Sequence, residues 1–154
     1  MRKIELEGNS LGPKCAAEFG RSLCHNKALK YLDLENNQLT VGGTEHWGIY
    51  QFVEFLDHND TLLSLNLANN DLDEKCGQMF REKLENNHTL IDFNFAQNYF
   101  TMEDSRAIQS FLQRNKAEFD YERLKEWRER KLMRAEDEAL RRQYMAENAE
   151  KMQD

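Results

Sequence analysis

An α/β solenoid of about four strand–helix repeats, followed by a long C-terminal α-helix, is the fold this 154-residue sequence predicts. Two observations carry that expectation: a segment that recurs four times, and a final stretch with neither glycine nor proline. Ile4–Leu11, Leu32–Leu39, Leu65–Leu72 and Phe93–Phe100 align without gaps, and their asparagines Asn9, Asn37, Asn70 and Asn98 lie 28, 33 and 28 residues apart. A second landmark keeps the same phase: Leu23-x-x-Asn26, Leu56-x-x-Asn59, Leu84-x-x-Asn87 and Leu112-x-x-Asn115. Two landmarks in one register, four times over, define a repeat.

Within each unit the Leu-x-Leu alternation has the period of a strand with one buried face. The stretch that follows places Phe19 and Leu23, Phe52 and Leu56, Phe80 and Leu84, and Ile108 and Leu112 four apart, on one helical face. One unit cannot bury such a face alone, whereas stacked neighbours can. The recurring asparagine suits a tight turn, where its amide bonds backbone groups of its own and adjacent repeats. The second repeat carries five extra residues, within Thr40–Tyr50, beside Gly42 and Gly43. Trp47, Ile49 and Tyr50 there are expected either in the core of a lengthened convex helix or as an exposed aromatic contact.

This pattern resembles the leucine-rich repeat, and its period is similar to that of the ribonuclease-inhibitor-like subtype, which alternates a short strand with a full helix. The resemblance covers residues 1–115, which form the expected repeat domain, with the insertion inside 40–55. It implies a solenoid whose strands line a concave face. Met1 stands in the first leucine slot of the first repeat, so that strand is expected to present an uncapped N-terminal edge.

Residues 116–154 do not continue the strand template. They are expected to form a capping segment, through Phe119, Tyr121, Leu124 and Trp127, and then a charged helical arm. Glu126–Arg130, Asp137–Arg141, Glu138–Arg142 and Glu147–Lys151 are acid-to-base pairs at i, i+4, each worth about 0.3 kcal/mol to a helix. The apolar seam through Leu132, Ala135, Ala139, Ala146 and Ala149 is thin for a coiled coil, and Arg142 interrupts it. Leu140, Tyr144 and Met145 lie off that line. The arm either docks along another protein or stands as a solvated helix.

No catalytic signature is found. The sequence has no GxSxG, P-loop, HExxH or paired CxxC, so no enzyme, metal site or cofactor is expected. His25 and His58 share one repeat position with Asn86 and Arg114, which reads as a loop slot open to any polar residue. His88 lies on a similar turn, and His46 lies in the insertion without a visible partner. Cys15 and Cys76 fall at one helix position with a whole repeat between them, too far for a disulfide, so these and Cys24 are read as reduced thiols. A calcium site is disfavoured because no dedicated loop is present.

The remaining function is protein binding. A net charge of −7 argues against nucleic acid, and no apolar run approaches the ~20 residues that span a bilayer. Between the buried leucines, Lys3, Glu5 and Glu7, then Tyr31, Asp33 and Glu35, then Ser64, Asn66 and Ala68, then Asp92, Asn94 and Ala96 face outward. Strands ~4.8 Å apart gather Glu5, Glu7, Asp33 and Glu35 into one acidic patch. That patch either docks a basic protein segment or serves solubility. Candidate protein-binding residues are therefore Glu5, Glu7, Tyr31, Asp33, Glu35, Asn66 and Asn94 on the array, with Trp127, Leu132, Leu140 and Tyr144 on the arm.

Repeats followed by a charged helix also look like axonemal leucine-rich-repeat subunits such as those of the dynein regulatory complex. That resemblance implies a non-enzymatic scaffold in a cytoplasmic, cytoskeletal or ciliary hetero-assembly. Alternatives are a small-GTPase regulator resembling the Ran GTPase-activating family, and an actin-filament capper similar to tropomodulin, whose repeats also end in a helix.

Overall fold

The computed structural model describes residues 2–151, with side chains through residue 148. The slot at Met1, the seam residue Ala149 and the Lys151 end of the Glu147–Lys151 pair lie outside these. Two compact units are present, with the division between Ala117 and Glu118.

In the first unit, strands β1 (Lys3–Glu5), β2 (Tyr31–Asp33), β3 (Ser64–Asn66) and β4 (Asp92–Asn94) form one parallel sheet in sequence order. Ile4, Leu32, Leu65 and Phe93 stand side by side across it, so the gapless alignment of the repeats is also their physical register. Leu34, Leu39, Leu67 and Leu72 continue the buried rows behind the sheet. Each fully buried leucine contributes roughly 1.5–3 kcal/mol by leaving water.

Helices back the sheet. Helix α1 (Pro13–His25) opens with proline at its first position, where the missing N–H costs no helical bond. Helix α3 (Glu74–Asn86) is capped by Asp73, whose carboxylate accepts from the Cys76 backbone N–H at 2.8 Å. The second repeat differs from the lengthened helix expected of it. Its helix α2 (Trp47–Phe52) is short and tightens into a 3₁₀ turn over Val53–Asp57, and the extra residues form a turn instead. Val41, Gly42 and Gly43 all have positive φ there, a backbone path that no helix follows. Ile49 is buried while Trp47 is exposed, so the insertion's aromatic and aliphatic residues divide between the two expected places.

Two ladders of asparagine side chains bind the repeats. Asn37 donates to the carbonyls of Leu6, Leu34 and Glu35 and accepts from the N–H groups of Asn9 and Leu11. Asn98 repeats that arrangement on Leu67, Phe95 and Ala96, and accepts from Asn70 and Leu72. On the opposite edge Asn59 donates to the Leu23 and Asn26 carbonyls, and Asn87 donates to those of Leu56 and Asn59. Asn115 donates to the carbonyls of Asn87 and Leu90. The second landmark is thus structural in the same sense as the first. Buried amides satisfied this fully hold backbone that the short strands leave unpaired.

Helix α4 (Met102–Lys151) runs from the fourth repeat through the charged segment without interruption. Its first turns bury Ile108 and Leu112 in the core. Arg114 is not a tolerant loop position: its guanidinium donates to the Leu84, Glu85 and Asn87 carbonyls and so closes the C-terminus of α3. In the second unit, Glu126–Arg130 and Glu138–Arg142 approach to 3.6 and 3.9 Å, side-chain spacings a helix provides at i, i+4.

Candidate docking surface

The first surface lies on the strands. Tyr31, Asp33, Glu35 and Asn66 come together there as a hydrogen-bonded group. The Tyr31 hydroxyl donates to Asp33 Oδ2 at 3.2 Å, and Asn66 Nδ2 donates to Asp33 Oδ2 at 3.2 Å and to Glu35 Oε2 at 2.7 Å. Lys3 Nζ sits 4.8 Å from the Tyr31 ring centroid and 2.7 Å from Glu5. Burial and then the Asp33 carboxylate push the Tyr31 phenol above its ordinary range. Glu5 holds the Lys3 ammonium up in turn, chiefly through their hydrogen bond.

The patch is therefore less anionic, and more organised, than four free carboxylates. Asp33 Oδ1 accepts from the Glu35 N–H, and Asn66 and Asn94 accept in the same way from Ala68 and Ala96. Part of each side chain is spent folding the turn that leaves its strand. Glu7 and Asn94 are exposed beside the group without joining its side-chain network, and Ala68 is buried rather than outward. Ser64 Oγ donates to Asp92 Oδ2 at 2.7 Å farther along the sheet.

The second surface lies on α4 in the second unit. Trp127, Leu132, Leu140 and Tyr144 are 53, 65, 67 and 67% exposed. Tyr121 and Leu124 are exposed as well. Lys131 Nζ lies 5.1 Å from the Trp127 ring centroid, within cation–π distance.

His46 does have neighbours: its Nδ1 is 3.7 Å from Asp73 Oδ2, and its ring stacks on Tyr50. Sequence spacing could not bring these together, because His46 belongs to the insertion and Asp73 to the next repeat. Cys15, Cys24 and Cys76 are free thiols. Among the described residues no helix is long and apolar enough to cross a membrane.

Comparison with known proteins agrees with this architecture. Residues 28–48, which include β2 and its ladder turn, match the Leucine Rich Repeat family. This is a leucine-rich-repeat fold with a C-terminal helix. A solved structure titled Leiomodin-1 Actin-Binding Site 2 (ABS2) superimposes with a TM-score of 0.73 at 23% identity, over 84% of this chain and 72% of that one. The C-terminal domain of tropomodulin from Caenorhabditis elegans superimposes with a TM-score of 0.50 at 14% identity, over 80% and 89% of the respective chains.

Proposed function

We propose that this chain is a non-enzymatic protein-interaction module, with ribonuclease-inhibitor-like repeats that bind one partner and a C-terminal helical segment that binds another. One observation carries the reading. Tyr31, Asp33, Glu35 and Asn66 hold one another in a fixed polar arrangement on the strands, so a partner meets side chains whose rotamers are already ordered. The net negative sign of that group suits a basic segment of the partner. The exposed aromatic and aliphatic side chains of α4 supply the anchors that interfaces favour. Such a module fits a subunit of a cytoskeletal or ciliary assembly, the axonemal type included.

A second reading makes actin the partner. It is favoured by the likeness to the leiomodin-1 fragment, whose title names an actin-binding site, and by a second neighbour that is a tropomodulin domain.

Two baits separate these readings: the full chain, and a full chain carrying D33K, E35K, W127S and Y144S. Each is cross-linked in native extract and also sedimented with actin filaments. Retention of cytoskeletal or axonemal proteins by the first bait alone supports the assembly role. Co-sedimentation with filaments that the variant loses selects actin. Recovery of a small GTPase whose hydrolysis rate the chain changes would replace both readings with a regulatory one.

A further inference from the structure

Three metal-ligating side chains of three different kinds converge where the insertion meets helix α3. His46 stands immediately before α2, and Asp73 and Cys76 belong to the first turn of α3. One donor atom from each lies within 4.8 Å of the other two. We propose that His46, Asp73 and Cys76 form a binding site for a divalent transition-metal ion of the zinc class, which ties the insertion to the following repeat.

The imidazole has unspent capacity. The His46 side chain is only 13% exposed, its Nε2 is buried without a partner, and its Nδ1 lies 3.7 Å from Asp73, beyond hydrogen-bond reach. A buried Nε2 without a partner is costly, and a metal bond to that nitrogen offsets the cost. Its orientation is fixed by stacking on Tyr50, with ring centroids 6.2 Å apart. Asp73 divides its oxygens. Oδ1 caps α3 by accepting from the Cys76 N–H, while Oδ2 faces the imidazole. Lys75 Nζ rests 4.7 Å from the centroid of the same Tyr50 ring, close enough for its charge to favour a Cys76 thiolate.

Imidazole, carboxylate and thiolate together are a soft-to-borderline donor set, which selects zinc or cobalt over magnesium or calcium. Tetrahedral coordination brings such donors to roughly 3.5 Å from one another, so binding requires the three side chains to close in by about 1 Å. Burial and a hydrogen bond to the Asp73 carboxylate hold the proton on the Cys76 thiol in the metal-free chain; coordination replaces that proton, which leaves to solvent, and a water fills the fourth position. Asp73 is the ligand that reaches solvent: it borders a groove with Glu74, Lys75 and Gln78, while Cys76 is fully buried behind it.

The site also has a structural reason. Asn37 and Asn98 each accept two backbone N–H groups through Oδ1, but Asn70 Oδ1 is buried without a partner where the insertion departs from the repeat. A metal held by His46 with Asp73 and Cys76 adds a tie between the second and third repeats, the pair whose ladder lacks this acceptor bond.

Titration of the intact reduced chain with Co²⁺ alone, followed by displacement with Zn²⁺, tests the proposal. One ion per chain is expected, with a thiolate-to-cobalt charge-transfer band and a Tm raised by about 5–10 °C at a hundredfold excess over Kd. H46Q and D73N, the latter keeping a good N-cap, should each weaken binding by more than about tenfold. A C15S/C24S double variant should bind unchanged. The proposal is overturned if the folded chain shows no charge-transfer band under excess cobalt. It is equally overturned if H46Q keeps full affinity, or if the band disappears with Cys15 and Cys24.

Discussion

Gly48 in α2 lies against Pro13 in α1 so closely that a Cβ on Gly48 would stand 2.2 Å from the Pro13 carbonyl oxygen. Gly20 makes the reverse approach, with its missing Cβ 2.6 Å from the Phe52 Cα. The two helices of the first and second repeats are thus seated backbone to backbone. G48A and G20A should each cost at least about 1–3 kcal/mol in urea denaturation, because backbone atoms cannot step aside. G77A should also destabilise, since its Cβ would stand 2.8 Å from Cγ of Phe100, the root of a ring packed against Phe80, Phe93 and Phe95. A G48A variant as stable as the parent would contradict this packing.

The asparagine ladder predicts unequal penalties at equivalent positions. Asn37 makes five hydrogen bonds to backbone groups, whereas Asn70 makes three and leaves its Oδ1 without a partner. N37A should therefore destabilise the chain by roughly 2–4 kcal/mol, and N70A by less, because each orphaned buried group costs about 1–3 kcal/mol. Equilibrium unfolding of the two variants side by side decides it. Equal losses would mean that the Asn37 acceptor bonds contribute nothing.

How much of this was readable in advance follows from where the information lies. Strand register was visible because buried leucines and asparagines recur at fixed spacing, and each repeat repeats the same physical problem. The turn geometry carries a further signal: Gly8, Asn36, Asn69 and Gln97 share one position and all have positive φ. Three of the four are residue types that tolerate that region. The insertion has no second copy to compare with, so its turn, its short helix and the partners of His46 were not legible. Arg114 differs from its sequence pattern for a related reason. Its position holds His or Asn in the other repeats, and only the third dimension shows three carbonyls within its reach. The alternation places Asp33, Asn66 and Asn94 outward but carries no sign of their turn-forming bonds, which depend on the backbone path two residues on.

Val41 occupies the left-handed region at φ 49° and is 45% exposed. A β-branched residue is strained there, while asparagine and glycine adopt it readily. V41N should raise stability by about 1 kcal/mol, read as a higher urea midpoint with an unchanged m-value. A lower midpoint would show that the Val41 side chain contributes packing outweighing its strain.

The Tyr31 phenol titrates above the ordinary tyrosine value of 10.0, first because it is desolvated and then because the Asp33 carboxylate faces it. A folded-state pKa raised above the unfolded value favours folding fully below pH 10, and that contribution is lost as pH rises through the folded pKa. Stability should accordingly begin to fall above pH 10, not below it. D33N removes the facing charge and leaves the burial, so it should lower the Tyr31 pKa while keeping it above the free value. Selective labelling of the tyrosine ring and a pH series by NMR would follow this one group among the five tyrosines. A Tyr31 that titrates identically in D33N would mean the hydroxyl–carboxylate bond does not persist in solution. The ordered polar group proposed to meet a partner would then be missing its first link.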